Sequence, residues 1–184
     1  MFALQRLAPE KRVDVLLRAL RRCLDIGAPA TLVIGGTGPE APALRALAAE
    51  LGVDKHVRFA GYIPHVALAD YFEACDVFAL HSTYETFGLV VAQAMSHGRA
   101  VVTVRSTALP EVVADAGLLV PPGDPSAFGD ALAALAQDGA RRRELGEAGR
   151  RRAAADFGWD RVAEAYERVL ARAASGRERS HRAG

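Results

Sequence analysis

Glu85 has the setting in this chain that most suggests chemistry. It stands in a short polar and aromatic loop, His81 to Phe87, which ends at Gly88 and runs into an apolar segment, Leu89 to Ser96. A short apolar run, Val77 to Leu80, precedes the loop, and another, Ala100 to Val104, follows Gly98. That order reads as strand, loop, helix, strand. The loop then lies at the carboxyl end of a parallel strand, where open α/β sheets bind their ligands. A helix that starts after a glycine offers free N–H groups to a phosphate, and glycine lets backbone approach closely. A carboxylate in the same loop can accept hydrogen bonds from hydroxyls. It can also simply complement the helix dipole, an effect under about 1 kcal/mol. Arg6 and Lys11 form the second candidate pair, beside the first helix start. Taken alone they read as two solvated charges. As residue types, Arg offers a forked guanidinium and Lys a point-charge ammonium.

The elements that must position these residues follow from periodicity. Phe2 to Leu4 reads as the end of a strand. Pro9 precedes a helix from Glu10 to about Leu24, with Val13, Leu16, Leu17 and Leu20 at helical spacing. Ala30 to Ile34 is a short buried strand, and Gly35-Gly36-Thr37-Gly38-Pro39 turns into a helix over Pro42 to Leu51. Strands are expected at Val57 to Ala60 and Leu118 to Val120, and a helix at Val66 to Ala74. Three helices close the pattern, near Pro125–Gln137, Arg141–Ala155 and Trp159–Ala174. Alternating strands and helices with short loops argue for α/β: a Rossmann-like, doubly wound parallel sheet with helices on both faces. Residues 1–174 form this unit. The polar, basic stretch 175–184 has no pattern and is expected to be disordered.

Composition removes several function classes. A chain of 184 residues fits one domain. Net charge is +1, so no global field argues for nucleic acid. Cys23 and Cys75 have neither metal-ligand spacing nor a disulfide framework and read as small buried hydrophobes. His56, His65, His81, His97 and His181 share no ligand spacing, and there is no Asp-x-Asp pair, so no metal site is expected. His81 reads either as a satisfied loop histidine or as a residue approaching the ligand. No signal peptide and no long apolar run are present, so a cytoplasmic location is expected.

The stretch Glu85-Thr-Phe-Gly-Leu-Val-Val-Ala-Gln93-Ala-Met-Ser-His-Gly-Arg-Ala-Val-Val resembles the E-G-F-G-L-x-x-x-E-A-M-A-x-G-x-P-V-V signature of group-1, or family-4, retaining glycosyltransferases. These have the two-Rossmann, or GT-B, architecture. Ser106-Thr-Ala-Leu-Pro-Glu111 and Ala116-Gly-Leu-Leu-Val-Pro-Pro-Gly-Asp124 also match, and the resemblance runs from Arg6 to about Leu170. It departs at Gln93, where the family has a second Glu, and at Thr107-Ala108, where it often has two glycines. The resemblance implies a donor-binding second domain of a hexosyl- or mannosyl-type transferase. Such an enzyme moves sugar from a GDP-, UDP- or dTDP-sugar, which is substrate, with no cofactor and no metal.

The resemblance also implies residue roles. Arg6-Leu-Ala-Pro-Glu-Lys11 matches a G-R-x-x-x-x-K-G stretch whose two cations stabilise negative charge on the leaving diphosphate. It implies that Glu85 bonds donor-sugar hydroxyls and that backbone around Phe87, Gly88 and Leu89 touches the donor. Gln93 takes the ribose position, and Tyr62 and Ile63, in Gly61-Tyr62-Ile63-Pro64, line the nucleobase. An amide at Gln93 accepts through one atom and donates through the other, where a carboxylate accepts through two. The acceptor would be bound by an absent first domain or a separate chain, and any peripheral membrane association would come only through that half. A non-catalytic nucleotide- or sugar-binding module partnering another chain is the alternative. A nicotinamide-dependent oxidoreductase is disfavoured, because the first strand-helix junction lacks G-x-G-x-x-G.

Overall fold

The apolar runs become six parallel strands: β1 (Phe2–Leu4), β2 (Leu32–Gly35), β3 (Val57–Gly61), β4 (Val77–Leu80), β5 (Ala100–Val104) and β6 (Leu118–Val120). They lie side by side in the order β3-β2-β1-β4-β5-β6. The computed structural model describes residues 1–181. Between the strands run α1 (Val13–Asp25), α2 (Ala41–Glu50), α3 (Leu68–Ala74), α4 (Leu89–Ser96) and α5 (Leu109–Val113), followed by α6 (Pro125–Gln137), α7 (Gly139–Asp156) and α8 (Trp159–His181). Strand order reverses between β1 and β4, which pair through Phe2 and Phe78. A doubly wound sheet opens its ligand crevice at that reversal, outside the carboxyl ends of the strands.

Burial explains the layers. β4 and β5 are buried along their whole length, as strands covered on both faces must be. On one face Phe2, Phe72 and Phe78 meet edge-on or tilted, with centroids 5.5 to 5.8 Å apart. There α3 and α4 pack, and α7 lies across α4. On the other face α1 buries Val13, Leu16, Leu17 and Leu20 against the sheet and α6. Burying each Leu stabilises the fold by about 1.5–3 kcal/mol. Truncating the fully buried Leu20 to Ala would cost about 2–5 kcal/mol. α1 and α6 approach closely because Gly129 has no Cβ to strike Arg22 and the Ala19 carbonyl.

Several boundaries differ from the pattern-based expectation, each for a local reason. Pro9 to Lys11 form a single 3-10 turn, and α1 begins only at Val13 because Arg12 sits in the left-handed region, φ 46°. α7 begins at Gly139 rather than Arg141, since Asp138 caps it by accepting the Arg141 N–H at 2.8 Å. The stretch Ser106 to Glu111, quoted above only as a motif, runs into the short helix α5, for which no period was visible. α8 continues past Ala174 to His181, where an unstructured tail was expected from Ser175; Arg177, Glu178 and Arg179 are good helix formers, whereas Gly176 is a poor one. Residues 182–184 of that expected tail lie outside the described residues.

Candidate functional site

The crevice between β1 and β4 is walled by two loops. The β1–α1 loop carries Arg6 and Lys11; the β4–α4 loop carries Ser82 to Gly88. They are tied backbone to backbone and side chain to backbone: the Thr83 N–H and the Thr83 hydroxyl both donate to the Glu10 carbonyl, at 3.1 and 2.9 Å. Across this seam the Lys11 ammonium donates to Glu85 Oε1 at 2.6 Å, joining residues 74 positions apart. Its two other contacts, to Ser82 Oγ and the Tyr84 carbonyl, are longer, 3.4 Å each. The pair is shielded from solvent on most sides, at 20% and 16% side-chain exposure. That is dry enough for its charges to be felt more strongly than a surface pair's. Arg6 is exposed at the end of β1 and makes no ion pair among the described residues.

Gly88 opens α4 in the left-handed region, φ 88°. It is glycine for a second reason. A Cβ there would lie 2.8 Å from Leu109 Cδ2, on α5. The helix start therefore rests directly on a buried leucine, with the Leu89 side chain 66% exposed beside it. Gln93 lies four residues along from Leu89, so the two share a helix face, and it is half-buried. Phe87 is partly exposed and packs edge-on against Phe157, where α7 gives way to α8, with centroids 5.3 Å apart.

The β3–α3 loop stands apart, since β2 lies between β3 and β1. Tyr62 is 75% exposed there, whereas Ile63 is buried over Gly35. Any ligand contact by Ile63 must therefore use its backbone. The glycine turn after β2 has a steric explanation that needs no ligand. A Cβ on Gly36 would collide with the Gln5 carbonyl, and one on Gly38 with the Leu7 carbonyl. These glycines let the β1 and β2 loops interlock through the Leu7 N–H to Thr37 carbonyl and Glu40 N–H to Leu7 carbonyl bonds, 2.9 and 3.0 Å.

His81 turns out to be a framework histidine. It is fully buried beneath Phe128, and its Nε2 accepts the Gly123 N–H at 3.0 Å. Its proton therefore sits on Nδ1, which has no partner among the described residues; neither does the side-chain amide of buried Gln5. Burial, with the Arg12 charge adding to it, lowers the imidazole to about 4. Cys75 is buried and pushed up to about 11, and buried Cys23 is also raised, so both are inert thiols. No group of three or more metal-ligating side chains occurs among the described residues.

Sequence reasoning missed the hydroxyl contacts that brace the Glu85 loop. Thr107 Oγ1 accepts the Glu85 N–H at 3.0 Å, and the Ser106 hydroxyl donates to the Thr83 carbonyl at 2.9 Å. The signal was weak: two neighbouring hydroxyl side chains in the loop after β5, beside the β4 loop whose backbone they hold.

Comparison with known proteins gives this geometry a lineage. The family model "Glycosyl transferases group 1" matches residues 1–152. The chain is 37% identical over 175 residues to the D-inositol 3-phosphate glycosyltransferase of Kribbella flavida, covering 86% of this chain and 40% of the relative. It is 39% identical over 168 residues to that of Xylanimonas cellulosilytica, covering 89% and 40%. Among solved structures it is similar to the sucrose-phosphate synthase of Thermosynechococcus elongatus, with TM-score 0.82 and 30% identity over 95% of this chain and 46% of the other. The fold also matches Anabaena HepE in complex with UDP, with TM-score 0.84 and 24% identity over 92% and 48%. The chain thus spans about 40% of the length of the curated relatives it matches. It belongs to the group 1 glycosyltransferases.

Proposed function

We propose that this group 1 glycosyltransferase domain binds a nucleotide-diphosphate sugar in the β1/β4 crevice and serves as the donor half of a retaining glycosyl transfer. The observation that carries the reading is the Lys11–Glu85 pair, which brings a cation and a carboxylate from two loops to the switch point at 2.6 Å. Transfer breaks the bond between the anomeric carbon and the diphosphate, and negative charge grows on the departing phosphate. A fixed cation aimed there favours the transition state over the ground state. Lys11 and Arg6 are assigned to that phosphate, and the free N–H groups after Gly88 to a neighbouring phosphate oxygen. Glu85 accepts from sugar hydroxyls, Gln93 bonds the ribose, and Tyr62 with the Ile63 backbone borders the base. The acceptor would be bound by a further domain or a partner chain.

Lys11 has three donors. The strong one stays on Glu85 while a phosphate oxygen replaces one of the two 3.4 Å contacts. Cation and carboxylate can then act together, one on the leaving group and one on the sugar. Calorimetry with UDP, GDP, dTDP and their glucose conjugates tests the reading. Binding by one of these series, weakened by Arg6→Ala and Lys11→Ala, is expected. Binding of none, or binding indifferent to both changes, would reject it. A non-catalytic module is the second reading, favoured by the amide at Gln93. It predicts binding of the same ligands but no transfer when an acceptor-binding domain of the same family is supplied.

A further inference from the structure

Thr107 adopts a backbone conformation that few residues of its kind tolerate. Its φ is 44°, in the left-handed region, where a β-branched side chain is a genuine outlier. Glycine would occupy the same place without strain. Arg12 and Ala114 also have positive φ, but neither is β-branched, and Arg12 turns its guanidinium to Asp14. Strained residues of this sort persist where the surroundings over-determine them, and they concentrate at working sites.

The contact made by the Thr107 side chain says what the conformation achieves. Thr107 Oγ1 accepts the Glu85 N–H at 3.0 Å, from a loop 22 residues away. That N–H has no other partner among the described residues. Next to it the Ser106 hydroxyl holds the Thr83 carbonyl at 2.9 Å. The β5–α5 loop therefore grips the Glu85 loop from one side while Lys11 grips its carboxylate from the other at 2.6 Å. The ammonium sits on a flexible stem and fixes a distance, not an orientation. The backbone bond to Thr107 supplies the second fixed point that sets the direction of the carboxylate. Misplacement of a substrate-contacting group by as little as about 1 Å can cost a large factor in rate.

We infer that Thr107 is a positioning residue that orients Glu85 toward the sugar of the donor. This rests on the donor role proposed for Glu85. The test uses the full chain with UDP and UDP-glucose as probes, and four variants: Thr107→Gly, Thr107→Val, Thr107→Ser and Glu85→Gln. Glycine and valine remove the hydroxyl, one with the strain relieved and one with the side-chain shape kept. Both should weaken UDP-glucose binding about five- to tenfold, the size expected for one hydrogen bond, while UDP binding stays within about twofold. Serine should restore wild-type values, and in the Glu85→Gln background the Thr107 changes should have no further effect. Amide hydrogen exchange at Glu85 should quicken in the glycine and valine variants and recover in the serine variant.

Equal loss of UDP and UDP-glucose, no loss in the glycine and valine variants, or unchanged exchange at the Glu85 amide would overturn the proposal. If Glu85→Gln itself leaves the preference for UDP-glucose intact, the donor role of Glu85 falls, and the positioning role falls with it. If Glu85→Gln abolishes that preference while the Thr107 variants keep it, only the positioning role falls. If wild-type chain binds neither probe, GDP or dTDP and its glucose conjugate take their place; binding of none of the three series rejects the donor reading, and an unchanged Glu85 amide in the variants would still refute the contact independently.

Discussion

Acid should unfold this protein through His81 before it reaches the carboxylates. The imidazole is buried and neutral in the fold, held near 4 against an ordinary 6.5. The unfolded chain takes up a proton as pH falls below about 6.5, and the folded chain does not until about 4. Across that window the unfolded state binds more protons, so stability declines as pH falls. Above the window His81 contributes no slope, and below it both states are protonated. A gap of about 2.5 at about 1.36 kcal/mol per pH unit gives a loss of about 3 kcal/mol. That is a sizeable part of the 5 to 15 kcal/mol or so typical of a domain. Arg12 lowers the ring's value and Asp14 raises it slightly, while Phe128 is apolar. Asp14 is held below its ordinary 3.8, so its own loss comes at lower pH. Burial also lowers the Met1 amino group from 8.0, so a variant must isolate the histidine. Urea unfolding from pH 4 to pH 8 should show the decline in wild type and a flatter curve in His81→Gln, whose amide oxygen can still accept from Gly123. A wild-type curve level through this window, or the same slope in both proteins, would refute the assignment of a buried neutral imidazole.

Three further outcomes are expected. Lys11→Met should weaken UDP binding about tenfold or more, the loss of a charge-assisted bond, and calorimetry reads it. Gly88→Ala forces a Cβ into a left-handed position 2.8 Å from Leu109. It should cost about 1–3 kcal/mol in urea unfolding and weaken UDP binding by displacing the start of α4. Gln93→Glu should tighten UDP binding by up to about fivefold, through two charged acceptors in place of one neutral acceptor. Unchanged or weaker binding would remove Gln93 from the ribose.

The strands were legible because each is a short apolar run with no competing pattern, and β4 and β5 are buried at every position. Helix beginnings were less so. Arg12 breaks the first helix by a backbone conformation that its residue type does not announce, and α5 is too short to show a period. At the site, Lys11 and Glu85 were visible as residue types, and the strand pattern together with the family resemblance pointed to where they meet. The status of Ile63 was not visible, because its burial over Gly35 depends on how β2 and β3 stagger past a register shift. Thr107 was hidden for a related reason. Its bond to Glu85 exists only because β4 and β5 run parallel, Leu80 beside Thr103, which brings their following loops level.

That dependence on register has a consequence for how the site can vary. Its two walls are loops that leave β1 and β4, and the loop after β5 braces the second; the three strands are consecutive in space. Backbone atoms do much of the joining: the Glu10, Thr83 and Tyr84 carbonyls and the Glu85 N–H. The side chains of Arg6, Leu89 and Gln93, assigned here to the donor, have no side-chain hydrogen bond to that framework among the described residues. A framework fixed through main-chain atoms keeps its geometry when such side chains change. Substitution at Gln93 should therefore retune affinity for the nucleotide without disturbing the Lys11–Glu85 pair, whereas substitution at Thr107 should disturb the pair and leave the nucleotide alone. Separate responses of UDP and UDP-glucose binding to the two sets of variants are what this division of labour requires.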